Sequence, residues 1–172
     1  IVIEEQWKVI AEKVHSLGVF DNSLVVCDVS GSMHGTPMEV AIALGILGMN
    51  NRRLVTFSAE PQLHTVVGDS LRDQVASVRG MNWGMNTDFS KVCDLILSMD
   101  DTSISKIFIF SDMQFDIAIR NKKATHLQTL KQRFTARGWE MPTIIFWNLR
   151  GDTKDFPVRS NENGVVLLSG YS

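Results

Sequence analysis

The chain has 172 residues, 44% of them hydrophobic, and a formal net charge of -2 at neutral pH. That length suits one domain with a sizeable core, and the charge gives no general attraction to nucleic acid or anionic membrane. No apolar run reaches the roughly 18 residues that a bilayer-spanning helix needs, and no secretory signal pattern is visible.

From roughly Glu4 to Leu17, Ile3, Trp7, Ile10 and Val14 recur at spacings of three and four. This is the stripe of an amphipathic helix, stopped by Gly18. Residues 1–18 therefore form an N-terminal helix that packs on the domain or leads into it. Leu24-Val25-Val26-Cys27 is apolar on both faces and reads as a strand covered on both sides. It runs into the polar loop Asp28-Val29-Ser30-Gly31-Ser32-Met33. Thr36 is placed to cap the next helix, with Pro37 in its first turn and Glu39 completing a capping box. Val40 to Met49 is small and apolar enough to pack tightly on a sheet.

Leu54-Val55-Thr56-Phe57 and Leu63-His64-Thr65-Val66-Val67 read as two strands paired in a hairpin. Ser70 to Arg79 is a helix or irregular turn. A loop from Gly80 to Asn86 leads to Thr87 or Asp88, either of which can cap a helix running to about Met99. That helix carries Phe89, Val92, Ile96 and Met99 on one side. Ile107-Phe108-Ile109-Phe110 is another apolar strand and ends in Ser111-Asp112. A helix from about Ala124 to Arg137 is closed by Gly138. Strands at Thr143–Trp147 and Val165–Leu168 complete the order, with no obvious helix after Leu168.

Apolar strands alternating with helices predict an α/β fold. It is Rossmann-like and doubly wound, with a mostly parallel central sheet, one antiparallel edge strand and helices on both faces. Ligands of such sheets sit beyond the carboxyl ends of the strands. Three loops deliver polar groups there: Asp28 to Ser32, Asn86 to Asp88, and Ser111-Asp112. Together they offer the carboxylates of Asp28 and Asp112 and the hydroxyls of Ser30, Ser32 and Thr87. All are hard oxygen donors, suited to Mg²⁺, Mn²⁺ or Ca²⁺ rather than zinc or copper. Residues two apart in an extended turn point the same way, so Asp28, Ser30 and Ser32 can share one side. Gly31 lets the backbone bend between the two hydroxyls.

This arrangement resembles the metal-ion-dependent adhesion site of von Willebrand factor A domains. Asp28-x-Ser30-x-Ser32 resembles its first loop, Thr87 its second-loop threonine and Asp112 its third-loop aspartate. Gly35-Thr36-Pro37-Met38, Val55-Thr56-Phe57-Ser58, Trp83-Gly84-Met85-Asn86-Thr87-Asp88-Phe89, Phe110-Ser111-Asp112-Met113 and Phe146-Trp147-Asn148-Leu149 look like one branch of that group. It is an intracellular family of unknown function in plants, other eukaryotes and large DNA viruses. The Ro RNA-binding proteins carry a more distantly similar domain, but their RNA-binding helical repeats have no counterpart here. Nucleic-acid binding is therefore not carried over. The resemblance implies a single domain over residues 1–172. It implies that Ser30, Ser32 and Thr87 contact the metal directly, while Asp28 and Asp112 act through water. It also implies that the cation accepts an acidic side chain of a protein partner, without catalysis.

Other readings stand beside it. The first loop alone is also an ordinary turn, Thr87 a helix cap and Asp112 a solvated strand end. Trp83, Met81 and Met85 suit either an apolar rim at the binding face or packing against the sheet. His15, His34, His64 and His126 form no cluster in sequence, which argues against zinc. Arg120, Lys122 and Lys123 read as solvated surface. Cys27 and Cys93 read as buried thiols, which favours an intracellular, cytoplasmic setting. A metal-dependent phosphotransferase or hydrolase would want a second acid where Ser30 stands. No Walker loop or Gly-x-Ser-x-Gly elbow occurs. The third reading is a structural domain with no bound ion.

Overall fold

The computed structural model describes residues 2–57, 60–81, 89–112, 123–150 and 164–170. Along the chain lie α1 (Val2–Ser16), β1 (Ser23–Asp28), a short 3₁₀ turn (Gly31–Met33), α2 (Thr36–Gly48), β2 (Arg53–Phe57), β3 (Gln62–Thr65) and α3 (Leu71–Arg79). Then follow α4 (Phe89–Ser98), β4 (Lys106–Ser111), α5 (Lys123–Ala136), β5 (Thr143–Asn148) and β6 (Val165–Ser169).

The strands form one sheet in the order β3-β2-β1-β4-β5-β6. All neighbours are parallel except β2 and β3, whose antiparallel hairpin makes β3 an edge. Strand β1 is buried from end to end, and β4 from Ile107 onward, because helices cover both faces. Alternate residues of β1 part to opposite sides. Val25 and Cys27 join Phe108, Phe110, Ile145 and the α2 side chains Met38, Ala41, Ile42 and Ile46. Leu24 and Val26 join Val55, Phe57, Ile107, Ile109 and the α4 and α5 side chains Val92, Ile96, Leu130 and Phe134. The doubly wound α/β reading holds.

The chain leaves β1 toward β2 on one side and returns to β4 on the other. The sheet therefore has its switch point between β1 and β4, where open α/β sheets form a crevice at the carboxyl edge. Helix α2 approaches β1 closely through Gly45 and Gly48. A Cβ on Gly45 would lie 2.4 Å from Cys27 Sγ, and one on Gly48 would lie 2.8 Å from the Phe20 ring.

Helix α5 ends in a Schellman motif. The Gly138 N–H reaches the Thr135 carbonyl at 2.9 Å and the Trp139 N–H reaches the Phe134 carbonyl at 3.0 Å. The Phe134 and Trp139 rings meet across the turn, 6.3 Å between centroids, the apolar contact that commonly accompanies this cap. Gly138 has φ +72 and open space where a side chain would be, so a substitution there reports backbone cost alone. Gly138→Ala is expected to lower stability by about 1 kcal/mol, read as a drop of roughly 2–4 °C in thermal melting.

Two local expectations are corrected. The inward face of α1 is Trp7, Ala11 and Val14, not the stripe that includes Ile3 and Ile10, which are exposed. The apolar arc of this helix is wide enough to fit either phase, and packing on the core, with the Glu4 contact to α3, chooses between them. Thr36 does not cap α2. Gly35, at φ +93, holds the N-cap position, where its carbonyl accepts the N–H groups of Met38 and Glu39. The Glu39 carboxylate instead pairs with Arg79 of α3, so the capping box is replaced by a bridge between helices.

Candidate metal centre

Asp28 closes β1 and is 1% exposed. Its Oδ1 accepts the backbone N–H of Ser30 at 2.9 Å, a two-residue Asx turn of the kind aspartate favours. That turn brings Ser30 Oγ to 3.1 Å from Ser32 Oγ. Ser30 is buried and Ser32 half-buried. The two-residue spacing thus places both hydroxyls together beside a carboxylate, as the alternation in the sequence implies.

Strand register supplies the next part. Cys27 lies beside Phe110, so the residues that follow, Asp28 and Ser111, end neighbouring strands. The Ser111 hydroxyl donates to Asp28 Oδ2. Asp112 comes next and is fully buried. Its backbone N–H reaches Met33 Sδ at 3.1 Å, and Met33 is itself fully buried at the end of the 3₁₀ turn. This contact ties the first loop to the end of β4. On the far side of β4, Asn148 pairs with Ser111 in register, and its Oδ1 accepts the Arg150 N–H at 2.8 Å, shaping the exit from β5.

Burial of a carboxylate opposes its ionisation. Burial, the largest influence, raises the Asp28 carboxyl from 3.8 to about 6. The hydrogen bonds from Ser111 and Ser30 pull it down, and the charge of Asp112 pushes it up. Burial, and then the charge of Asp28, push the Cys27 thiol up to about 12. Such a thiol stays protonated at neutral pH and is a poor nucleophile.

Of the five residues expected from the sequence, Asp28, Ser30 and Ser32 are brought together, and Asp112 stands at the end of the adjoining strand. Thr87 lies outside the described residues, as do Trp83 and Met85. Met81 packs into the core beside α2 and α3 rather than at a rim. Residue spacing alone does not single out Ser111, although its place directly before Asp112 at a strand end is a usable signal. Among the described residues, no three His, Cys, Asp or Glu side chains group as a metal site. The donors assembled here are carboxylate and hydroxyl oxygens, a set that fits a hard divalent cation. His64 is engaged elsewhere, with Nε2 2.9 Å from Thr56 Oγ1.

Fold and edge together define an open α/β domain that gathers oxygen groups at its switch point. The chain belongs to the family described as a domain of unknown function, DUF7788, whose profile matches residues 22–172. It is 37% identical to "Uncharacterized protein L728" of Acanthamoeba polyphaga mimivirus over 185 aligned positions, covering 99% of this chain and 32% of that protein. The chain thus spans about a third of the relative's length. Its fold is similar to that in the crystal structure of the Deinococcus radiodurans RO (RSR) protein. The TM-score is 0.60 and the identity 16%, over 88% of this chain and 32% of that one. No helix of the described residues is long and apolar enough to cross a membrane.

Proposed function

We propose that this domain is a von Willebrand factor A-type, metal-dependent protein-binding module. The observation that carries this reading is the buried pair of carboxylates, Asp28 and Asp112, set on neighbouring strand ends with the Ser30 and Ser32 hydroxyls beside them. A carboxylate held out of water, as Asp28 is, costs stability unless a counter-charge joins it. Mg²⁺ or Mn²⁺, with Ca²⁺ a larger alternative, supplies that charge and is bound by oxygen.

Ser30 and Ser32 would hold the cation directly, and Thr87 would join them. Asp28 and Asp112 would orient its waters. Neutral hydroxyl ligands leave a bound cation with residual positive charge, which attracts an acidic side chain from a partner. Asp28 is held by Ser30 and Ser111, so its carboxylate is fixed before any ligand arrives. The buried free thiols Cys27 and Cys93 support an intracellular, cytoplasmic setting.

Mn²⁺ titration by calorimetry tests the site. Uptake in the micromolar to millimolar range is expected, and Ser32→Ala should weaken it by about tenfold or more. Ser32 is half-buried, so metal-free melting should move by less than about 2 °C. Adding millimolar glutarate to the Mn²⁺ complex should lower its water-proton relaxation enhancement, as a carboxylate displaces bound water. Absence of Mn²⁺ uptake at millimolar concentration would leave a purely structural domain. Asp28-dependent hydrolysis of p-nitrophenyl phosphate would replace the binding module with a phosphotransferase or hydrolase.

A further inference from the structure

Met33 ends the turn that carries the two serine hydroxyls, and it is tied through both backbone and side chain. Its N–H donates to the Ser30 carbonyl at 3.0 Å, closing the 3₁₀ turn that includes Ser32. Its side chain is fully buried, and Sδ accepts the Asp112 backbone N–H at 3.1 Å. One residue therefore joins the turn of Ser30 and Ser32 to the backbone of Asp112, 79 positions away.

The strand pattern explains why an acceptor is wanted there. The Ser111 carbonyl faces β5, where it accepts the Leu149 N–H at 2.8 Å. Successive residues of a strand turn their peptide groups to opposite sides, so the Asp112 N–H faces β1. There β1 has already ended, because the chain leaves the ladder at Asp28 and enters the Asx turn. The thioether takes the place that a strand carbonyl would fill. A buried N–H without an acceptor is costly, and sulfur satisfies this one without adding charge to a site that already holds two carboxylates.

We propose that Met33 is a positioning residue of the metal centre. Its sulfur sets where the Asp112 backbone stands relative to the Ser30 and Ser32 hydroxyls, and thereby how tightly a divalent cation is held. The proposal rests on the metal-binding reading above. Met33 itself is not a ligand, since hard cations prefer oxygen to a thioether. It acts through Asp112, as outer groups of metal sites orient the inner ones. If Met33 only filled space, any apolar side chain of its volume would serve, whereas a positioning role needs the sulfur.

Met33→Leu separates the two, because leucine keeps the volume and cannot accept a hydrogen bond. Calorimetry with Mn²⁺ on the full chain should show uptake weakened by about tenfold. In chelator, hydrogen exchange of the Asp112 amide should be faster by about tenfold. Met38→Leu is the control. Met38 is 4% exposed in the same core and has no such bond to a strand end, so both readings should stay at wild-type values. A further measurement needs no variant. With methyl-labelled methionine, the wild-type Met33 methyl should show a nuclear Overhauser contact to the Asp112 amide proton, and that proton should shift on saturation with Mg²⁺. A Met33→Leu chain that takes up Mn²⁺ like the wild type, or whose Asp112 amide exchanges no faster, overturns the proposal and leaves the metal reading standing. Absence of the Overhauser contact does the same, as do equal losses in Met38→Leu, which would assign the effect to core packing. A wild type without Mn²⁺ uptake overturns the metal reading and this proposal with it.

Discussion

Asp28→Asn should make the metal-free domain more stable at neutral pH, not less. Asp28 titrates near 3.8 when unfolded and is raised to about 6 in the fold. Between those values the folded state binds more protons than the unfolded one. Wild-type stability therefore falls as pH rises through this window, and the full penalty applies above it. A shift of that size corresponds to on the order of 3 kcal/mol for a fully buried group. Asparagine carries no charge. Its carbonyl oxygen can still accept the Ser30 N–H, and its amide can donate to the Ser111 hydroxyl, which turns to accept. Urea unfolding in chelator at about pH 7.5 should show the variant ahead by roughly 2–3 kcal/mol, and near pH 4 the two should converge. Added Mg²⁺ should reverse the order, because ligand bound only to the folded wild type adds stability by mass action. A variant equally destabilised at both pH values would mean that Asp28 serves as a hydrogen-bonding strut. The charge argument for a cation would then fail.

Gly45→Val should destabilise the domain by about 3 kcal/mol or more, lowering the melting temperature by roughly 6–12 °C. Gly45 sits where α2 crosses β1, and its missing side chain is the space that the Cys27 sulfur occupies. Cys27 Sγ also contacts the Ala41 carbonyl at 3.4 Å, so the sulfur is held from two sides and cannot retreat freely. Gly45→Ala meets the same clash but gains about 1 kcal/mol of helix propensity, so its net loss is smaller. Cys27→Ala removes the sulfur and should make Gly45→Ala nearly neutral or favourable in that background. A double-mutant cycle monitored by thermal unfolding would show a coupling of about 1–2 kcal/mol. Additive effects would place the constraint elsewhere. The displacement would also be felt at Asp28, one residue beyond Cys27, so weaker Mn²⁺ uptake should accompany the loss of stability.

Much of the architecture is legible in the residues. Leu24 to Cys27 and Ile107 to Phe110 lack polar alternation because each strand is covered on both sides, and that marks them as central. The hairpin from Arg53 to Thr65 reads as the antiparallel edge. Gly138 announces the end of α5 through the left-handed backbone that only glycine takes without cost. The first loop is legible for a similar local reason. Asp28, Ser30 and Ser32 lie within five consecutive positions, so their grouping needs one turn and no distant partner. The phase of α1 is not legible, because its apolar arc exceeds what one neighbour can cover. The cap of α2 is misread because Thr36 has the right chemistry one position too late.

What the sequence determined by itself was therefore local: where strands and helices run, that the sheet is parallel and covered, and that one loop concentrates oxygen donors. Each of these follows from side-chain periodicity or from a short turn. The tertiary structure decided what depends on register and on which surfaces meet. It set Ser111 rather than solvent against Asp28, placed Met33 under the Asp112 backbone, and packed Trp7 against the core while leaving Ile10 outside. Those relations join residues some eighty positions apart or choose between faces of one helix. Hydrogen bonding between neighbouring strands and packing between layers are the only forces that settle them.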